Sequence, residues 1–147
     1  MDAGVTDTSN MGAAMAMAAC DTLTRHFEDT GRGPDYYDAV LTGDLGRVGS
    51  EILAELMAMR GIGLGAKHMD CGSLIYDAER QGVCSGGSGC GCSASVFAGY
   101  ALGNMRSGIW KRVLFAATGA LMSPTTSLQG ESIPGICHAV AFESERI

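Results

Sequence analysis

Residues 82–95 read Gly-Val-Cys-Ser-Gly-Gly-Ser-Gly-Cys-Gly-Cys-Ser-Ala-Ser, a run with no side chain larger than valine. Such a run cannot build a core of its own. Its glycines admit positive φ and let backbone approach a neighbour or a ligand closely. A helix-compatible stretch of Ser, Ala, Val, Phe and Tyr follows at once, so the unpaired first amides of a helix open onto the loop. Anions and polar ligands suit that place. The same run also fits a tight strand-to-helix crossover in which glycine only saves space.

A chain of 147 residues fits one domain, residues 1–147, and can bury a core without disulfides or metal. Hydrophobic residues make up 46% and there are only 3 prolines, which excludes a disordered polymer. Lys and Arg are few and scattered and the net charge is -6, so nucleic acid is not an expected partner. No apolar run is long enough to span a bilayer, and Met-Asp-Ala-Gly-Val-Thr-Asp lacks the basic and apolar regions of a signal peptide, which leads to an expectation of a cytosolic chain. In that compartment the six cysteines are thiols. His68, Cys71, Cys84, Cys90 and Cys92 offer soft metal ligands, yet their spacing follows neither a paired C-x-x-C nor a zinc-ribbon pattern, and no metal site is assigned. Cys20 and Cys137 fall within a helix and a strand, where cysteine packs as a small apolar side chain.

Asp7 to Asn10 supplies possible N-caps, and Met11, Met15, Ala19, Leu23 and Phe27 then recur every four residues up to Gly31. This predicts an amphipathic helix with Met side chains in the core and His26 solvated near its end. Residues 37–42 read as a short buried strand, Ser50 as the cap of a second helix ending at Gly61, and residues 65–80 as irregular. That irregular stretch holds His68 and Cys71, a conceivable nucleophile pair that lies close in sequence for a dyad. A third helix over 93–107, strands over 112–118 and 135–142 and a polar connection between them complete an α/β sandwich layer with mixed strands. His138 reads as a core or edge histidine. Only residues 3–6 offer anything like a strand before the first helix.

Several segments together carry a resemblance: Asn10-Met11-Gly12-Ala13-Ala14-Met15-Ala16, Leu41-Thr42-Gly43-Asp44-Leu45-Gly46, Lys67-His68-Met69-Asp70-Cys71-Gly72, residues 86–94 and Ala117-Thr118-Gly119-Ala120-Leu121-Met122-Ser123-Pro124. Nearly end to end, the chain resembles the C-terminal half of the stage V sporulation protein AD family. The resemblance implies a thiolase-like fold, of which this chain is one α/β repeat with a mixed five-stranded sheet whose first strand is largely missing. It implies a role in moving dipicolinic acid, with calcium, into the developing spore, next to the other proteins of the spore dipicolinate channel. Location in the forespore cytoplasm, peripheral to the inner spore membrane, follows from the same resemblance. The condensing enzymes of fatty-acid synthesis are more distantly similar; where they carry a catalytic His and Asn, the positions here hold Asp44 and, within a residue or two, Cys90. An ionised Asp donates no hydrogen bond to an enolate, so catalysis is not expected. The expected ligand site comprises Asp44 as a hard oxygen, the helix start Cys90, Gly91, Cys92 and Ser93 as donors, and the hydroxyls of Thr118 and Ser123. No resident cofactor is expected beyond calcium arriving with dipicolinate. The nucleophile-bearing half is absent, so a split gene or a fragment is expected, completed by an N-terminal half or by a second copy. An acyltransferase fragment of thiolase or ketoacyl-synthase type and a cysteine-based metal protein are the alternatives.

Overall fold

The computed structural model describes residues 1–144. Helix α1 (Met11–Thr30) begins where the Asn10 side chain accepts the Ala13 amide at 3.2 Å and ends where Gly31 turns left-handed at φ 64°. Met15, Ala19, Leu23 and Phe27 are buried, as the four-residue spacing requires. Strand β1 (Ala39–Thr42) is buried at all four positions because it lies inside the sheet, whose order is β2-β1-β3-β4. β1 runs parallel to both β2 (His68–Asp70) and β3 (Arg112–Ala120), and β4 (Gly135–Glu143) is antiparallel to β3.

Alternation along the strands divides the core in two. Val40, Leu114 and Ala116 pack with α1 and with α2 (Gly46–Met59) on one face. Ala39, Leu41 and Val113 meet Val96 and Ala101 on the other. Those two residues belong to α5 (Cys92–Val96) and to the π turn Phe97–Ala101 that leads into α6 (Leu102–Arg106). The expected third helix is therefore one rod with a wide turn in its middle. α1 and α2 cross closely: a Cβ on Gly12 would lie 2.7 Å from the Leu45 carbonyl oxygen and 3.2 Å from the Gly49 Cα.

Several elements differ from the sequence expectation. α2 begins at Gly46, four residues before Ser50, which lies inside the helix. The stretch expected to be irregular contains edge strand β2 and the short helices α3 (Cys71–Leu74) and α4 (Ala78–Gln81). The polar connection holds α7 (Pro124–Leu128), started by a capping box between Ser123 and Thr126. His26 is not free in solvent, since its Nε2 lies 2.6 Å from the hydroxyl of buried Tyr37, and burial pushes its pKa down. The sheet of the described residues has four strands, and residues 3–6 form none. Met1 nevertheless exchanges two hydrogen bonds of 2.8 Å with Gly135, and the Val5 carbonyl accepts the Ile133 amide at 2.7 Å, so this segment lies along the start of β4.

Candidate functional site

Two carboxylates organise the ends of β1 and β2. Asp70 closes β2 and is buried, which a charged side chain tolerates only when its lone pairs are filled. Four donors fill them: the Thr42 hydroxyl at 2.8 Å, the Leu45 and Gly46 amides at 2.9 Å each, and the Ser73 amide at 3.1 Å. One side chain thus caps both α2 and α3 and fixes the turn after β1. Gly46 sits there at φ +66°, and a Cβ on it would meet the Ser85 carbonyl oxygen at 2.6 Å. The Thr42 hydroxyl has a single proton, which goes to Asp70. His68 Nε2, 3.0 Å from that oxygen, is then the donor in the contact, and burial lowers the His68 pKa so that the ring stays neutral.

The turn so held presents Asp44. Its Oδ1 accepts the Thr118 hydroxyl at 3.1 Å, and its Oδ2 accepts the Ser88 hydroxyl at 3.0 Å and the Gly89 amide at 3.2 Å. The Asp44 amide in turn donates to the Thr118 hydroxyl oxygen at 3.0 Å. β1, β3 and the glycine loop are tied together at one carboxylate. Above it opens a cavity of about 530 Å³, walled by Met11 and Met15 of α1, by residues 117–120 of β3, and by Asp44, Ser88, Gly89, Cys90 and Ser93.

Four of the seven expected site residues, Asp44, Cys90, Ser93 and Thr118, line this one cavity. Cys92 faces the core: it is buried, and its thiol pKa is raised by burial and by the nearby carboxylates of Asp44 and Asp70. Gly91 is exposed just before α5 and does not line the cavity. Ser123 lies outside it, its hydroxyl engaged by the Thr126 amide at 3.1 Å at the start of α7. Ser88 and Gly89 are the contacts the sequence did not single out, because small loop residues carry no mark of their partners. The sequence did not single out Asp70 either, because most of its donors lie far from it along the chain.

The thiols divide by burial. Cys20, Cys71, Cys92 and Cys137 are buried, and Cys84 and Cys90 are exposed. Burial pushes Cys71 up to about 12 and Cys137 to about 11, the reverse of what an activated nucleophile requires. Among the described residues no three His, Cys, Asp or Glu side chains are grouped to hold a metal ion.

This geometry can be set beside known proteins. The sequence profile of stage V sporulation protein AD matches residues 1–143. The chain belongs to the stage V sporulation protein AD family. A relative of that name from Bacillus subtilis (strain 168) is 50% identical over 142 residues, which is 97% of this chain and 42% of the relative. The chain thus spans less than half the length of the stage V sporulation protein AD it matches. Both the Asp44 and the Asp70 constellations fall within the residues that match the family.

Proposed function

We propose that this chain binds calcium dipicolinate in the Asp44 cavity, without transforming it, as part of the apparatus that moves dipicolinate into the developing spore. The observation that carries the reading is the state of Asp44. A carboxylate offers roughly four lone-pair positions, and three donors occupy three of them here. The remaining position is held rigidly beside a cavity of about 530 Å³. Free dipicolinate is a dianion and would be repelled. Its calcium complex is neutral, and calcium takes roughly six to eight oxygen ligands, more than one dipicolinate supplies, so a protein carboxylate can complete its shell. Met11 and Met15 give the planar ring an apolar wall.

The same reading includes partners. All 16 acidic residues lie outside residues 80–130, the span that contains the glycine loop, α5, α6, β3 and α7. On that side Ala94, Ala98, Gly99 and Gly103 of the α5–α6 rod are exposed, as are Ile136 and Val140 on β4. Exposed small and apolar side chains of this kind fit a protein partner that covers them. A companion thiolase-like half or a second copy takes this place, with the proteins of the dipicolinate channel beyond. Among the described residues no helix is long and apolar enough to cross a membrane, in keeping with a peripheral position on the forespore side of the inner spore membrane.

The test is a thermal melt of the purified chain with dipicolinate, with calcium and with both. A ligand that binds only the folded state raises the midpoint. The expected result is a rise with both together, a much smaller one with either alone or with calcium and benzoate, and its loss in Asp44→Asn. Equal midpoints in all conditions for a cooperatively melting protein would refute the proposal.

A further inference from the structure

A second cleft, of about 340 Å³, lies at the opposite edge of the sheet between α2, β2 and α3. Its lining holds polar groups with unspent capacity. Among the described residues Ser50 Oγ is buried without a hydrogen-bond partner, although Ser50 is a lining residue. His68 Nε2 is committed to Thr42, which leaves Nδ1 as the ring's bare acceptor. Arg47 and Glu51 line the cleft from adjacent turns of α2. At that spacing on one helix face an ion pair is available, yet neither joins any salt bridge among the described residues. Ser73 adds a hydroxyl, while Met69 and Leu74 add apolar surface.

The cleft therefore offers one unpaired cation, one unpaired anion, an imidazole acceptor and a buried hydroxyl, and its lining also includes the Asp70 carboxylate, whose oxygens are filled by four donors. The geometry points to a binding site for a small zwitterion of the α-amino-acid class, its carboxylate on Arg47 and its ammonium on the acidic side of the cleft, at Glu51 and His68 Nδ1. Guanidinium binds a carboxylate through parallel N–H donors, and the neutral ring and the Glu51 carboxylate are both acceptors suited to an ammonium. The volume lies near the lower end of ligand pockets, roughly 300 Å³, which suits a ligand of single-amino-acid size. Met69 and Leu74 favour a short apolar side chain. Desolvation keeps His68 in the acceptor form near neutral pH.

The test is an amide NMR titration of the full chain with glycine, L-alanine and L-leucine, and with N-acetyl-leucine and leucine amide, which lack the ammonium and the carboxylate respectively. Saturable shifts at residues 47–51, 68 and 73 are expected for at least one free amino acid, with affinity weakened at least about tenfold in both derivatives. Arg47→Gln and Glu51→Gln, at exposed positions that do not threaten folding, each weaken it by a similar factor. Asp44→Asn leaves it unchanged, so the outcome is independent of the calcium dipicolinate reading. No saturable shift up to about 10 mM would overturn the proposal by leaving the cleft to water. Equal binding of N-acetyl-leucine would overturn it in favour of a simple carboxylate site.

Discussion

Asp70→Ala removes the acceptor of four hydrogen bonds at once, and its cost can be built from the surroundings of each donor. The Leu45 and Gly46 amides are buried, and among the described residues neither has another acceptor in the loop contacts. A buried donor left unsatisfied costs about 1–3 kcal/mol. Ser73 is exposed and can turn to water, and the Thr42 hydroxyl retains its contact with His68, so these two add less. The sum is about 3–5 kcal/mol, a large share of the roughly 5–15 kcal/mol available to a domain. At roughly 2–4 °C per kcal/mol for a chain of this size, the midpoint falls by about 10 °C. Urea titration followed by far-UV circular dichroism measures it, with the comparison restricted to variants of unchanged m-value. Asp70→Asn keeps one acceptor oxygen and is expected to cost about half as much. A double-mutant cycle with Thr42→Val is expected to show coupling of about 1 kcal/mol. If Asp70→Ala and Asp70→Asn both cost less than about 1 kcal/mol, the shared-cap reasoning is wrong.

Reaction with an aromatic disulfide at mildly alkaline pH is expected to modify Cys84 and Cys90 rapidly and the four buried thiols only after denaturant is added; fast reaction of Cys71, whose pKa is pushed up to about 12, would contradict the packing described. His68 and His26 both titrate below their ordinary value because of burial, so below about pH 6.5 the unfolded chain binds more protons than the folded one and stability declines as pH falls. His68→Gln, whose amide can still donate to Thr42, is expected to flatten part of that decline, and an unchanged slope between pH 7 and pH 5 would count against a half-buried, neutral His68.

The elements legible in the sequence are those whose signals are local. α1 carries its cap, its four-residue stripe and its terminating glycine within one segment, and β3 and β4 are long enough for composition to declare them. β2 has three residues, too few for a period of two to register, and it is fixed by pairing Val40 with His68 and Thr42 with Asp70. The start of α2 was misplaced because its capping carboxylate comes from Asp70 rather than from its own flank. At the candidate site, Asp44, Cys90, Ser93 and Thr118 converge because β1, β3 and the glycine loop all end on the same side of the sheet. Ser123 drops out because a serine one residue before Pro124 is better used as a cap than as a ligand donor. The four donors that fill Asp70 and the three that hold Asp44 are tertiary properties that no single segment encodes.

The sharing of Asp70 between two helix starts also bears on the order in which this chain folds. An N-terminus capped by its own flanking residue can form as soon as its helix does, whereas the first turn of α2 waits for a residue 24 positions further along the chain to arrive on the sheet edge. Closing that loop carries an entropic cost before any cap bond forms. α1, with its cap three residues from the amide it serves, is under no such delay. α1 can therefore form ahead of its partners, and the turn that carries Asp44 takes its final shape only when β2 docks.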